Sequence, residues 1–157
     1  MDIDEWRNVG SVLMDVLRLE TYPVAVKLVK SDEEFPSNVR RPNKIFGFKI
    51  NLCQAFSMSR RYGWTMGVSK DECSCNFARL LYGWASLDSE DILVDFLLEA
   101  GFFKDREAAS RGAKFTVENC KLKPGECQGI LTSPLNRTKI EPDVVLIYVI
   151  LEKSCIN

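Results

Sequence analysis

The segment Asp143-Val-Val-Leu-Ile-Tyr-Val-Ile-Leu151 restricts this chain more than any other, because one acid is followed by an unbroken apolar run. Such a run is too short to span a membrane and shows no polar alternation. It reads as a strand buried on both faces and central in its sheet. A central strand needs cover on each side, which sets the expected class as α/β, a mixed sheet with packed helices. The 157 residues fit one hydrophobic core, so residues 1–157 are expected to form a single compact α/β domain. The chain stops shortly after this strand, which leaves room for cover from a missing C-terminal segment, a partner subunit or a second copy.

Elsewhere the apolar periodicity alternates between helical and extended patterns. Ile3, Trp6, Val9, Leu13, Val16 and Leu17 share one face at helical spacing, predicting an amphipathic helix over roughly residues 2–19. Tyr22-Pro23 interrupts it, and the β-branched run Val24–Val29 predicts the first strand. Residues 31–44 contain Pro36 and Pro42 among polar side chains and suit an exposed excursion. A second short strand is expected at Ile45–Ile50. Asn51 followed by Gln54 predicts a capped helix that ends near Tyr62 before Gly63. Further helices are expected from Ser74 to Tyr82, from Asp88 to Gly101 and from Asp105 to Gly112, with short strands at Lys114–Val117 and Gly129–Thr132.

Histidine is absent, which removes the commonest general base and the commonest transition-metal ligand. Six cysteines remain as the chemistry-bearing residues. The N-terminus, MDIDEWRNVG, carries acids where a secretory signal is basic, so a cytoplasmic location is expected, with reduced thiols. The net charge of −1 gives no global attraction to nucleic acid or to a membrane surface, although Arg40, Arg41, Arg60 and Arg61 form local basic patches. No nucleic-acid or membrane partner is expected.

The predicted helix starts place Cys53 and Cys75 in first turns, where open backbone N–H groups favour a thiolate. Asp71 and Glu72 oppose this near Cys73 and Cys75, so the electrostatic case is stronger for Cys53. Cys120 and Cys127 flank Pro124-Gly125, which suits a type II turn. If strands extended from that turn, the two cysteines would lie about 7–8 Å apart as diagonal neighbours, suited to two ligands of one cluster. The spacing matches no common zinc or ferredoxin pattern, and any of these thiols can equally be a small buried apolar side chain. Cys155 has no nearby partner in sequence.

Several segments together resemble an archaeal conserved-region family, domain of unknown function 169. They are Pro23-Val-Ala-Val-Lys27, Cys53-Gln54 opening a helix that contains Arg60 or Arg61 before Gly63, Cys75 ahead of Gly83, and Pro142-Asp-Val-Val-Leu-Ile147. The resemblance singles out Cys53, Gln54, Cys75 and Gly83, and implies archaeal and anaerobic settings in which oxygen-sensitive clusters persist. Family members look longer, so this chain is expected to be a short form or to lack a C-terminal part. The leading expectation is a cytoplasmic redox or accessory protein of anaerobic metabolism. In that reading Cys53, Cys73, Cys75, Cys120 and Cys127 ligate an iron–sulfur cluster or another thiophilic metal, with Gln54 beside the cofactor. The alternative is a metal-free small-molecule-binding or protein-interaction module acting as a subunit. A thiol-dependent enzyme with Cys53 as nucleophile would have to work without a histidine base, and no reaction is assigned.

Overall fold

The computed structural model describes residues 1–85, 90–119 and 122–149. The chain has the expected mixed α/β class. Its contacts gather into two compact units, Met1–Ser74 with Gln128–Asn157, and Cys75–Cys127.

The first unit contains the sheet. Strands β1 (Val24–Val29), β2 (Met66–Ser69), β3 (Gly129–Pro134) and β4 (Val144–Leu146) pair throughout in antiparallel fashion, in the order β2-β3-β1-β4. The long β1–β3 ladder runs from Val24 opposite Pro134 to Val29 opposite Gly129. β3 is buried along its whole length, as is β2.

Helix α1 (Ile3–Val16) begins where its periodicity predicted, with Asp2 and Glu5 exchanging backbone hydrogen bonds in a capping box. Its Gly10 meets the 3₁₀ turn Leu135–Arg137 so closely that a Cβ there would lie 2.5 Å from the Asn136 backbone nitrogen. Helix α3 (Leu52–Tyr62) packs on one sheet face, where Ser59 and Thr132 share a buried 2.7 Å hydrogen bond. Phe35 covers the alternate face. Gly67 and Gly129 make room for its ring, since a Cβ on either would come within 3 Å of it.

The C-terminal apolar run is corrected by this topology. β4 pairs with β1 alone and lies at the sheet edge, with Val144 half exposed. The central positions belong to β1 and β3, and β4 pairs through three residues only, Val144–Leu146. The ladder stops at Asp143, whose backbone N–H donates to the Val26 carbonyl and whose carboxylate accepts from the Leu28 N–H and from Lys27 Nζ. Pro142, having no N–H, cannot continue the pairing. Ile147, Tyr148 and Val149 follow outside the strand and exposed, and the last two residues of the run lie outside the described residues.

Two further strand expectations fail for local reasons. Ile45 ends a short helix, α2 (Pro42–Ile45), Gly47 turns the chain with φ +72°, and Ile50 makes only an isolated parallel bridge with Cys73. Lys114–Val117 belongs to helix α6 (Arg106–Asn119) of the second unit, which continues through Gly112. Gly112 is no terminator there: a Cβ would lie 2.4 Å from Phe103 Cζ, so the missing side chain admits an aromatic ring.

The second unit is helical. Helix α4 (Asn76–Leu81) and helix α5 (Glu90–Glu99) share a core with α6 made of Leu80, Leu93, Val94, Leu97, Ala109 and Ala113. Phe77 and Phe96 stack beside it, with ring centroids 5.2 Å apart. The predicted cap of α5 at Asp88 lies outside the described residues. Gly83 does terminate α4, with φ +67° and no room for a Cβ, which would sit 2.7 Å from the Lys123 carbonyl oxygen.

Candidate functional site

The cysteines were the first residues whose chemistry the sequence singled out. Cys53 is the second residue of α3 and exposed, in the predicted first turn. Asn51 Oδ1 accepts from the Gln54 N–H at 2.8 Å and Gln54 Oε1 accepts from the Asn51 N–H at 2.9 Å. Gln54 therefore commits its side-chain oxygen to holding the helix start beside Cys53.

Cys75 lies one position earlier than predicted. It is the N-cap of α4, and its Sγ accepts from the Ala78 N–H at 3.4 Å. A thiol thus occupies the place normally taken by a serine or aspartate oxygen. Cys73 is buried, bridged to Ile50 along the strand-like approach to α3. Cys127 is buried, and its carbonyl accepts from Trp84 Nε1 at 2.9 Å.

Pro124-Gly125 forms the predicted turn, with Gly125 at φ +89° and the Glu126 N–H donating to the Lys123 carbonyl. No ladder extends from it among the described residues, because the Leu122 N–H donates instead to Leu81. Cys120 and Cys155 lie outside the described residues. Cys53 and Cys73 belong to the first unit, Cys75 and Cys127 to the second. Among the described residues, no three cysteine or carboxylate groups gather to hold a metal ion.

A buried ion pair organises the approach to α3. Glu72 is 4% exposed, and its carboxylate accepts from Arg41 Nε at 2.7 Å and Nη2 at 2.6 Å, and from the Ser69 N–H and Oγ. Each donor satisfies part of the carboxylate, so this charge is matched and structural in geometry. Arg41 also lies over the Phe35 ring at 4.2 Å.

A different set of residues surrounds a cavity of ≈ 300 Å³ within the first unit. Its walls are Leu17 to Thr21 after α1, Arg60 and Arg61 in the last turn of α3, and Tyr148 and Val149 after β4. Local structure explains how these distant segments meet. At the end of α1 the Arg18 N–H donates to the Asp15 carbonyl and the Leu19 N–H to the Met14 carbonyl, the paired bonds of a Schellman motif. The left-handed position of that motif usually carries glycine, but here Arg18 occupies it at φ 48°. The Tyr22 N–H then donates to the Arg60 carbonyl at 3.0 Å and ties the segment to α3.

Arg60 lies across the Tyr148 ring, its Cζ 4.0 Å from the centroid. Its Nε is buried without an acceptor, as is Trp6 Nε1, and Asn136 Oδ1 is buried without a donor; neither Trp6 nor Asn136 is among the described residues lining this cavity. Arg18 and Arg61 are exposed, and among the described residues none of the three arginines makes a salt bridge. Glu20 is the one carboxylate among the described wall residues, and it has an interaction of its own. A smaller cavity of ≈ 190 Å³ includes Arg40, Arg137 and Lys139, but Arg40 lies over Trp64 and Arg137 donates to Tyr22 Oη. The adjacent arginines at the end of α3 were legible as a basic patch. The contribution of Arg18 and Tyr148 was not, since nothing in the sequence brings residue 18 to residue 148.

Among the described residues, no helix is long and apolar enough to cross a membrane. The profile of domain of unknown function 169, described as an uncharacterised ArCR, matches residues 12–154. The uncharacterised protein MJ0308 of Methanocaldococcus jannaschii is 27% identical over 147 residues, covering 93% of this chain. This chain spans 60% of that relative's length. No solved structure matches it.

Proposed function

The chain belongs to the family of domain of unknown function 169, and from that premise, which carries no chemistry of its own, we propose that it is a small-molecule-binding module. The observation supporting this reading is the ≈ 300 Å³ cavity walled by the end of α1, the end of α3 and the segment after β4. Its volume is at the lower bound of small-molecule sites, roughly 300–1,000 Å³, and its walls set the apolar Leu17, Leu19 and Val149 beside the polar Arg18, Arg60, Arg61 and Thr21. A fragment library screened by ligand-observed NMR against the protein and against Thr21→Trp tests it. Thr21 is half buried in the wall, so tryptophan there fills the space. Hits on the parent that disappear with the variant support the reading; hits that persist unchanged, or no hits, refute it.

A second reading keeps Cys53 as a ligand of an iron–sulfur cluster or another thiophilic metal. It is favoured by an exposed thiol in the first turn of an eleven-residue helix, a position open to a metal ion. Iron and sulfide analysis after oxygen-free purification, repeated on Cys53→Ser, is its test. Metal-free folded protein, or occupancy untouched by the substitution, would end this reading.

A further inference from the structure

We infer that the cavity beside Arg60 selects a small oxyanion, a carboxylate or a phosphate group carried on a compact organic body. This rests on the small-molecule reading above and adds the chemical class of the ligand. Arg60, Arg61 and Arg18 bring three cationic residues to one wall system in which, among the described residues, Glu20 is the single carboxylate. Guanidinium donors meet planar oxyanions in a fork geometry that neutral ligands cannot satisfy.

Arg60 is the anchor. Its Nε is shut off from solvent and has no acceptor, although the guanidinium plane already lies against Tyr148. An atom that water cannot reach is closed to a ligand oxygen as well, so the oxyanion is met by the outer Nη donors of the same guanidinium, which make no hydrogen bond or ion pair among the described residues. Stacking on Tyr148 fixes the plane of the donor fork without consuming any N–H. Leu17, Leu19 and Val149 complete the apolar wall against which the rest of the ligand packs.

Arg18 provides an independent observation. It holds a left-handed backbone at a helix C-terminus, where glycine would be unstrained, and it is one of the residues lining this cavity. Strained backbone persists where the side chain has a use, and here that use is a second cation at the anion site.

The test is titration calorimetry on the full chain with benzoate, phenyl phosphate, inorganic phosphate and the neutral isostere benzamide. Either benzoate or phenyl phosphate should bind at least tenfold more tightly than benzamide, with affinity falling as salt rises. The two anions separate carboxylate from phosphate as the preferred head group, and inorganic phosphate shows what the organic body adds. The Arg60 Nε–H resonance should shift on binding, and Arg60→Gln should weaken the anion at least tenfold and benzamide by a much smaller factor. Arg18→Gly, which relieves the backbone and keeps the fold, should weaken the anion severalfold.

Equal binding of benzamide and the anions would overturn charge selection while leaving the small-molecule reading intact. Absence of binding by all four probes, with no hits in the fragment screen, would remove both. Anion binding unaffected by Arg60→Gln and Arg18→Gly would mean an adventitious ion only.

Discussion

Glu72→Gln is the substitution with the most fully determined consequence. Glutamine keeps the length and shape of the side chain but removes the charge opposite Arg41, whose side chain is 18% exposed. The Arg41 guanidinium, 2.6 Å from the carboxylate, then stays largely buried against a neutral amide. Breaking a buried pair by neutralising one partner typically costs about 3–5 kcal/mol. Asp32, exposed and 3.9 Å from Arg41, offers partial replacement and sets the expectation at the lower end, about 3 kcal/mol. A domain with a total stability of roughly 5–15 kcal/mol loses a large part of it. Urea denaturation followed by circular dichroism measures the change. Arg41→Met combined with Glu72→Met should recover most of the loss, because the remaining cost is an unpaired charge and not a missing attraction. A Glu72→Gln protein within about 1 kcal/mol of the parent would refute the argument, since that is the range of an exposed pair.

Other substitutions test separate parts of the fold. Gly10→Ala gains about 1 kcal/mol of helix propensity but drives a Cβ into the backbone of Leu135 and Asn136, which cannot rotate away. A net destabilisation of about 1–2 kcal/mol is expected in thermal or chemical melts, and a stabilised variant would place α1 farther from the 3₁₀ turn. Burial pushes the Asp143 carboxyl up, but hydrogen bonds from Lys27 Nζ and the Leu28 N–H outweigh it and hold the group below its ordinary 3.8. A depressed folded value means that this contribution is complete above the unfolded value and is lost as pH falls through the folded one. Asp143→Asn should therefore lower stability near neutrality, and its difference from the parent should shrink in acid. A gap that stays constant across the acid range would contradict the clasp at the β4 edge.

The parts of this molecule that the sequence made legible share one property: their determinants lie within a few residues of each other. The Asn51–Gln54 box, the helix-start position of Cys53, the Gly83 terminator and the Pro124-Gly125 turn each depend on contiguous residues. Lys114–Val117 shows the opposite case. Its β-prone composition was overridden because Ala109, Gly112 and Ala113 let α6 approach α5 and Phe103, so packing outweighed local preference. β2, four residues containing a glycine, was too short to stand out until Phe35 explained Gly67.

By itself the sequence determined the α/β class, the ends of several helices and membership of its family, because composition, periodicity and capping act over short stretches of chain. Only the tertiary structure decided that the C-terminal apolar run is an edge strand and not a central one, since centrality depends on which strands lie alongside it. The same holds for the cavity. Arg18, Arg60 and Tyr148 acquire a shared chemistry only when α1, α3 and β4 bring residues far apart in sequence to one wall, and no local pattern encodes that meeting.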